Sequence, residues 1–390
     1  MHCIRLSLLL LAGVLNAAPA HAVDYRLQDI SGGGRFQTAT AINNLGQVTG
    51  GSASEGFFYS AGTGLLRMDD RPPTGFPAGA PLNAWGVDIN DAGQVVGRWQ
   101  GGGTARGFLY TVADGMRDLG EAGRLPSDIS ERGLVVGLAA PGPGGHSRSF
   151  YGNLEFGFEE YGTGAQIVSV VGSVDFGALV IVNREAPELG EQRTRAGWMF
   201  EGGADLPLPP GTPGTYALDN ALDSTVVGYL QVSDDIHRAF VYRQAGGLLD
   251  FDTVLPRAAR TSFATGVNER GQVIGGGEWA DGSAFNFLYD LGSGSFVDLA
   301  SVLDPLTSVG WSALQLNELN DLGQIVGTGL FQGESRAFLL SPMAPVPEPG
   351  PLAMLLLGAL ALGVTFRGRH ARSGPLRGVP SPGPDGPPPG

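Results

Sequence analysis

A short phrase recurs along this chain, and no other feature restricts its fold as strongly. The clearest copy reads Asp88-Ile89-Asn90-Asp91-Ala92-Gly93-Gln94-Val95-Val96-Gly97, and related copies cover 41–50, 128–137, 218–228, 266–275 and 318–327. A degenerate copy centred on Val174–Val180 makes seven. The phrase predicts a hairpin: a strand ends at Ile-Asn, the Asn side chain caps a tight turn, Gly takes a positive φ, and Gln-Val-Val-Gly returns as the partner strand. About ten to fifteen residues further on comes an aromatic strand: Gly56-Phe57-Phe58-Tyr59, Gly107-Phe108-Leu109-Tyr110, Ser149-Phe150-Tyr151, Gly197-Trp198-Met199-Phe200, Ala239-Phe240-Val241-Tyr242, Asn286-Phe287-Leu288-Tyr289 and Ala337-Phe338-Leu339-Leu340. Arginine precedes it at Arg106, Arg148, Arg195, Arg238 and Arg336. A third phrase carries an acid, as in Met116-Arg117-Asp118-Leu119, Leu248-Leu249-Asp250-Phe251 and Phe296-Val297-Asp298-Leu299. Each copy therefore supplies about four short strands.

The closing glycines stand 47 and 40 residues apart across Gly50, Gly97 and Gly137, and 47 and 52 apart across Gly228, Gly275 and Gly327. That is the length of one four-stranded propeller blade. The last copy stops at Phe338-Leu339-Leu340 without its final strand, and Tyr25-Arg26-Leu27-Gln28-Asp29-Ile30 has the character of the missing one. The expected fold is all-β, a seven-bladed β-propeller of four-stranded blades closed by the N-terminal strand, with an open β-solenoid as the alternative. The body resembles the HAF repeat of bacterial extracellular proteins, whose His-Ala-Phe strand is written here as Arg238-Ala239-Phe240 and Arg336-Ala337-Phe338. That resemblance implies an exported protein and no particular activity.

Both ends read as targeting segments. Arg5, an apolar run from Leu6 to Leu15 and the small-x-small pair Ala20 and Ala22 predict an export signal over 1–22, cleaved before Val23. At the other end a Pro-rich stretch precedes the uncharged segment 350–366, just long enough to cross a bilayer, and then Arg367, Arg369 and Arg372. This arrangement resembles the PEP-CTERM sorting signal of Gram-negative bacteria, its motif falling on Val346, Pro347, Glu348 and Pro349. The resemblance implies an exosortase-type processing protease as partner, with transient anchoring in the inner membrane through the C-terminal helix. The expected order is signal peptide 1–22, repeat body 23–343, sorting segment 344–372 and a disordered Pro/Gly-rich tail 373–390.

With 64 glycines and 42 % hydrophobic residues, the chain can bury a core while turning often. Cys3, the sole cysteine, lies in the predicted signal, which excludes a mature disulfide framework or cysteine nucleophile. A net charge of −14 and the absence of lysine oppose nucleic-acid or anionic-membrane binding.

Few residues suggest chemistry. His146 and His237 fall in different copies, which argues against a two-histidine centre. Gly145-His146-Ser147-Arg148-Ser149 lacks the final glycine of a nucleophile elbow. Asp88 and Asn90 are a calcium candidate without the bidentate Glu of a full loop. No cofactor and no catalytic residue is therefore expected. The expected role is non-enzymatic, at the cell surface or in the extracellular matrix, binding polysaccharide or protein partners through the long connections Arg71 to Asn83 and Glu201 to Thr215. The alternative is a secreted glycan-active hydrolase or lyase. Its adjacent acid pairs, Glu159 with Glu160 and Asp234 with Asp235, would point to opposite faces of a strand. Carboxylates gathered at one channel mouth would be its structural mark.

Overall fold

The computed structural model describes residues 24–343 except 75, 77–81, 102–103, 121–123, 142–147, 172–178, 187–188, 190–192 and 200–203. The export signal with Ala20, Ala22 and Val23, the sorting motif Val346 to Pro349, segment 350–366, Arg367, Arg369 and Arg372 lie outside the described residues. So do His146, Ser147 and residues 174–178 of the fourth copy.

Seven antiparallel sheets follow one another as blades of a propeller: 38–67, 83–118, 125–163, 165–198, 214–250, 259–298 and 311–342. Each meanders outward from an innermost strand that lines the central channel. The seventh blade takes its outer strand from the other end of the chain, Tyr25–Asp29 pairing antiparallel with Glu334–Pro342. Blade seven also bonds directly to blade one, through Asn317 Nδ2 to the Ala39 carbonyl at 2.7 Å and Asn320 Nδ2 to the Asn43 carbonyl at 2.9 Å. The ring is closed, and the open solenoid is thereby corrected. An open stack would have left the end strands unpaired, whereas ring closure gives both a partner.

The borrowed strand reproduces a local rule. Asp118, Asp250 and Asp298 lie opposite Phe108, Phe240 and Phe287, and Asp29 lies opposite Phe338. The arginine two residues before the phenylalanine pairs with that acid: Arg106 with Asp118 at 3.0 Å and Arg336 with Asp29 at 2.8 Å. Blade one reverses the charges, with Glu55 two residues before Phe57 and Arg67 opposite it, 2.8 Å apart. These half-buried surface pairs contribute on the order of 1 kcal/mol each, so they guide register more than they stabilise.

The core is organised by a glycine facing a phenylalanine. Gly50, Gly97, Gly137, Gly228, Gly275 and Gly327 are register partners of Phe57, Phe108, Phe150, Phe240, Phe287 and Phe338, and all six rings are fully buried. A Cβ at Gly97 would stand 2.3 Å from Phe108 Cζ and 2.4 Å from the Trp85 carbonyl oxygen. The last glycine of the phrase, placed by the sequence on the returning strand, is in these six blades a seat for a ring. Burying such a ring contributes about 1.5–3 kcal/mol.

Blade four departs from this. Among the described residues it has three strands, Ala165–Val171, Leu179–Glu185 and Thr194–Trp198, and the outer position is held by an isolated bridge between Gly197 and Asp205. Here Val182 faces Gly197, so the large and small partners have exchanged strands. Gly197 consequently takes the place of the phenylalanine, one residue away from its expected alignment with Gly56. Arg195-Ala196-Gly197 is this blade's version of Arg238-Ala239-Phe240.

The predicted hairpin turn is present. Gly46, Gly93, Gly133, Gly271 and Gly323 have φ between +71° and +78°. Asn43 Oδ1 accepts the Leu45 and Gln47 amides at 3.1 and 2.9 Å, and Asn268 and Asn320 repeat this pattern. Copy five lacks both devices. Ala221 takes the capping place, Asn220 lies one residue earlier in the strand, and Ser224 holds φ +66°.

Gly97→Ala is expected to lower stability by roughly 3 kcal/mol or more, read as a fall in the urea midpoint, because backbone as well as ring must move. Ser224→Gly is expected to raise stability by up to about 1 kcal/mol through relief of the left-handed conformation. A lower urea midpoint for Ser224→Gly than for the parent chain would contradict that account.

Candidate functional site: the acid-lined channel

An innermost strand has a partner on one side only, so its other edge leaves amides and carbonyls facing the channel. Every innermost strand shifts register just before its turn, at Ala39/Ala41, Gly86/Asp88, Pro126/Asp128, Ile167/Ser169, Ala217/Asp219, Ala264/Gly266 and Leu316/Glu318. Four of the residues just after the shift are acids. Asp88 Oδ2 accepts the Ile129 amide at 2.7 Å, Asp128 Oδ2 accepts Val170 at 2.7 Å, Asp219 Oδ2 accepts Val267 at 3.0 Å, and Glu318 Oε2 accepts Ile42 at 3.3 Å. Each bond crosses to the next blade. A second belt lies at the turns, where Asn268 donates to the Asn320 carbonyl, Asn320 to Asn43, Asn43 to Asn90 and Asn90 to Ser130. A third links backbone amides to side chains one residue on, among them Asp91 N to Glu131, Glu269 N to Asp321 and Asp321 N to Asn44.

These belts surround a cavity of about 510 Å³ lined by Asp88, Asp128, Asp219, Glu318, Glu131, Glu269 and Asp321, with Arg132 among its walls. Burial pushes the Asp219 carboxyl up to about 7 against the lowering effect of the amides it accepts. Asp128 is raised well above the carboxylate range by burial and then by the neighbouring Asp88. Burial, then the charges of Asp88 and Asp219, does the same to Glu318. Glu131 and Glu269 are raised, first by burial. Burial thus favours the protonated form of each of these five acids.

The sequence did not assemble this ring, although its signal was present as an acid two positions before the capping residue in four copies. The calcium candidate finds its groups already engaged. Asp88 accepts the Ile89 and Ile129 amides, while Asn90 accepts the Gln94 amide and donates to the Gln94 side chain and the Ser130 carbonyl. Among the described residues no group of three or more histidine, cysteine or acidic side chains could hold a metal. The other acid pairs sit far from the channel. Glu159 accepts the Tyr151 hydroxyl and Glu160 pairs with Arg148 on blade three's outer strand, and the exposed Asp234 pairs with Arg193 at a hairpin tip. His237 packs between Tyr229 and Phe263, and burial lowers its pKa.

The fold defines a seven-bladed β-propeller with an acid-lined channel. Sequence comparison finds no matching family model and no matching curated protein. Among solved structures, a prolyl endopeptidase is 14 % identical with a TM-score of 0.51 over 80 % of this chain and 51 % of its own. The chain thus spans about half the length of that enzyme. A chain of the mitotic checkpoint complex is 10 % identical at a TM-score of 0.47, covering 86 % of this chain and 99 % of that one. Prolyl oligopeptidase B from Galerina marginata is 10 % identical at 0.47, covering 80 % and 52 %. The first of these likenesses supports the propeller fold, and none of them assigns a function.

Buried acids with raised pKa values stabilise the fold fully below their unfolded value, about pH 4, and lose that contribution as pH rises, for Asp219 through about 7. Asp281 and Asp290, held low by bonds from Ser283 and Ser293, act oppositely and lose their contribution below about pH 4. Melting temperature is therefore expected to peak near about pH 5 and fall toward about pH 8, with Glu318→Gln and Asp219→Asn flattening the fall. A parent-chain melting temperature that climbs steadily over this interval would refute the assignment.

Proposed function

We propose that the chain is a non-enzymatic, exported bacterial protein of the cell surface or extracellular matrix, whose propeller binds polysaccharide or protein partners. In this reading 1–22 directs export, an exosortase-type protease acts at Val346 to Pro349, and 350–366 holds the chain in the inner membrane until then. One observation carries the non-enzymatic part: Asp88, Asp128, Asp219 and Glu318 each use an oxygen to bind the next blade's amide, and Glu131, Glu269 and Asp321 each accept an amide of the preceding blade, so every one of these acids is employed in the ring's architecture. Partner binding falls to the face opposite the Asn-Gly turns, where the connections 71–83 and 201–215 enter the innermost strands at Asn83 and Gly214.

The channel also carries the mark of the competing reading. Clustered protonated and ionised acids are the equipment of glycan hydrolases. Glycan-array and matrix pull-down measurements with the protein, run beside a reducing-end assay on the retained glycans, separate the two. Retention without new reducing ends is expected. New reducing ends abolished by Asp128→Asn would make the chain an enzyme. Mass spectrometry of the native C-terminus with cell fractionation tests sorting, and an intact tail in the inner membrane would contradict release.

A further inference from the structure

A second cavity, about 270 Å³, lies between blades six and seven on the turn face. It is smaller than the roughly 300–1,000 Å³ of pockets for drug-sized ligands and suits one compact ring. Tyr25, from the closing strand, is only 3 % exposed, and it lines this cavity. Its hydroxyl makes no hydrogen bond among the described residues, and burial pushes its pKa up to about 12, so it remains both donor and acceptor. Gln272 Oε1 accepts a hydrogen bond from Asn268 Nδ2 at 2.8 Å, and its Nε2 has no acceptor among the described residues. Gly323 opens the space between them, since a Cβ there would stand 3.5 Å from Gln272 Oε1 and 3.7 Å from Tyr25 Oη.

Arg270 completes the cavity's polar side. In a chain of net charge −14 its exposed guanidinium has no acidic partner among the described residues. Leu288, Val297 and Pro342 form an apolar wall opposite. A fork-shaped cation, a hydroxyl, an amide donor and a greasy wall together match a pyranose ring bearing one carboxylate.

We infer that the cleft between blades six and seven binds a single uronate residue of an acidic polysaccharide, Arg270 taking the carboxylate and Tyr25 and Gln272 the ring hydroxyls. This rests on the reading of the chain as a glycan-binding surface protein. It narrows that reading to carboxylated sugars and adds a site on the turn face.

Calorimetric titration of the whole protein with a galacturonate trimer, and with the same trimer as its methyl ester, tests the assignment. The free acid is expected to bind the parent chain, Arg270→Gln to weaken that binding by about tenfold or more, and the ester to bind both proteins equally weakly. Tyr25→Phe is expected to weaken it severalfold. Arg270 is exposed, so an unchanged melting temperature for Arg270→Gln certifies the fold. Equal affinity of parent and Arg270→Gln for the trimer, equal affinity of the parent for acid and ester, or no binding of the trimer would each overturn the site. Retention of some other glycan on the array, unaffected by Arg270→Gln, would then leave the broader reading standing, whereas no retention of any partner would remove both.

Discussion

The innermost strand of a propeller blade is an edge strand that cannot be hidden, because it forms the wall of the channel. Half of its amides and carbonyls have no ladder partner, and an unmet buried amide costs on the order of 1–3 kcal/mol. This chain meets the demand from the neighbouring blade. The shift of register before each turn brings a side chain to the channel edge, and in four blades that side chain is an acid bonded to the next blade's amide. Neighbouring blades thus become mutually dependent, and the acids cannot be exchanged for apolar residues without stranding an amide. The concentration of buried acid follows from this requirement. Its consequence is a channel whose protonation is tied to the integrity of the ring.

Much of this was legible in the sequence because it rests on local rules. The positive-φ glycines, the capping Asn43, Asn268 and Asn320, and the match of Tyr25–Asp29 to the outer-strand phrase all follow from turn chemistry and strand composition. Other features depend on which residues meet across strands. Gly97 reads as the end of the returning strand, and only register reveals that it lies under Phe108. The exchange of Val182 and Gly197 shifts the fourth copy by one residue, and no single-strand pattern reveals it. The acid ring needed the register shift, which moves one residue per inner strand to a new face. Asn220 shows the same limit, since its composition suggests a cap and its register places it in the strand.

The propeller is a scaffold with many uses, so its likeness to a prolyl endopeptidase settles architecture and leaves function to the sites. Two sites of opposite character emerge. The channel is acidic and occupied by its own interblade bonds, whereas the small cleft near Tyr25 offers an arginine, a hydroxyl and an amide nitrogen that have no hydrogen-bonding or ionic partner among the described residues. Both lie toward the turn face, where the phrase that builds the hairpins also supplies the polar groups.

The swapped closing strand also has a mechanical side. The strand Glu334–Pro342, from which the chain continues beyond Met343, is third of four, flanked by Ile325–Phe331 on one side and Tyr25–Asp29 on the other. Tension applied through residue 343 would have to tear two ladders at once, whereas a chain ending on its outermost strand would peel from a single one. The bond from Met343 N to the Asp24 carbonyl, 2.8 Å long, sits where that load enters. Were a propeller of this kind pulled by its tail, the two ladders would protect it against unzipping from the point of attachment.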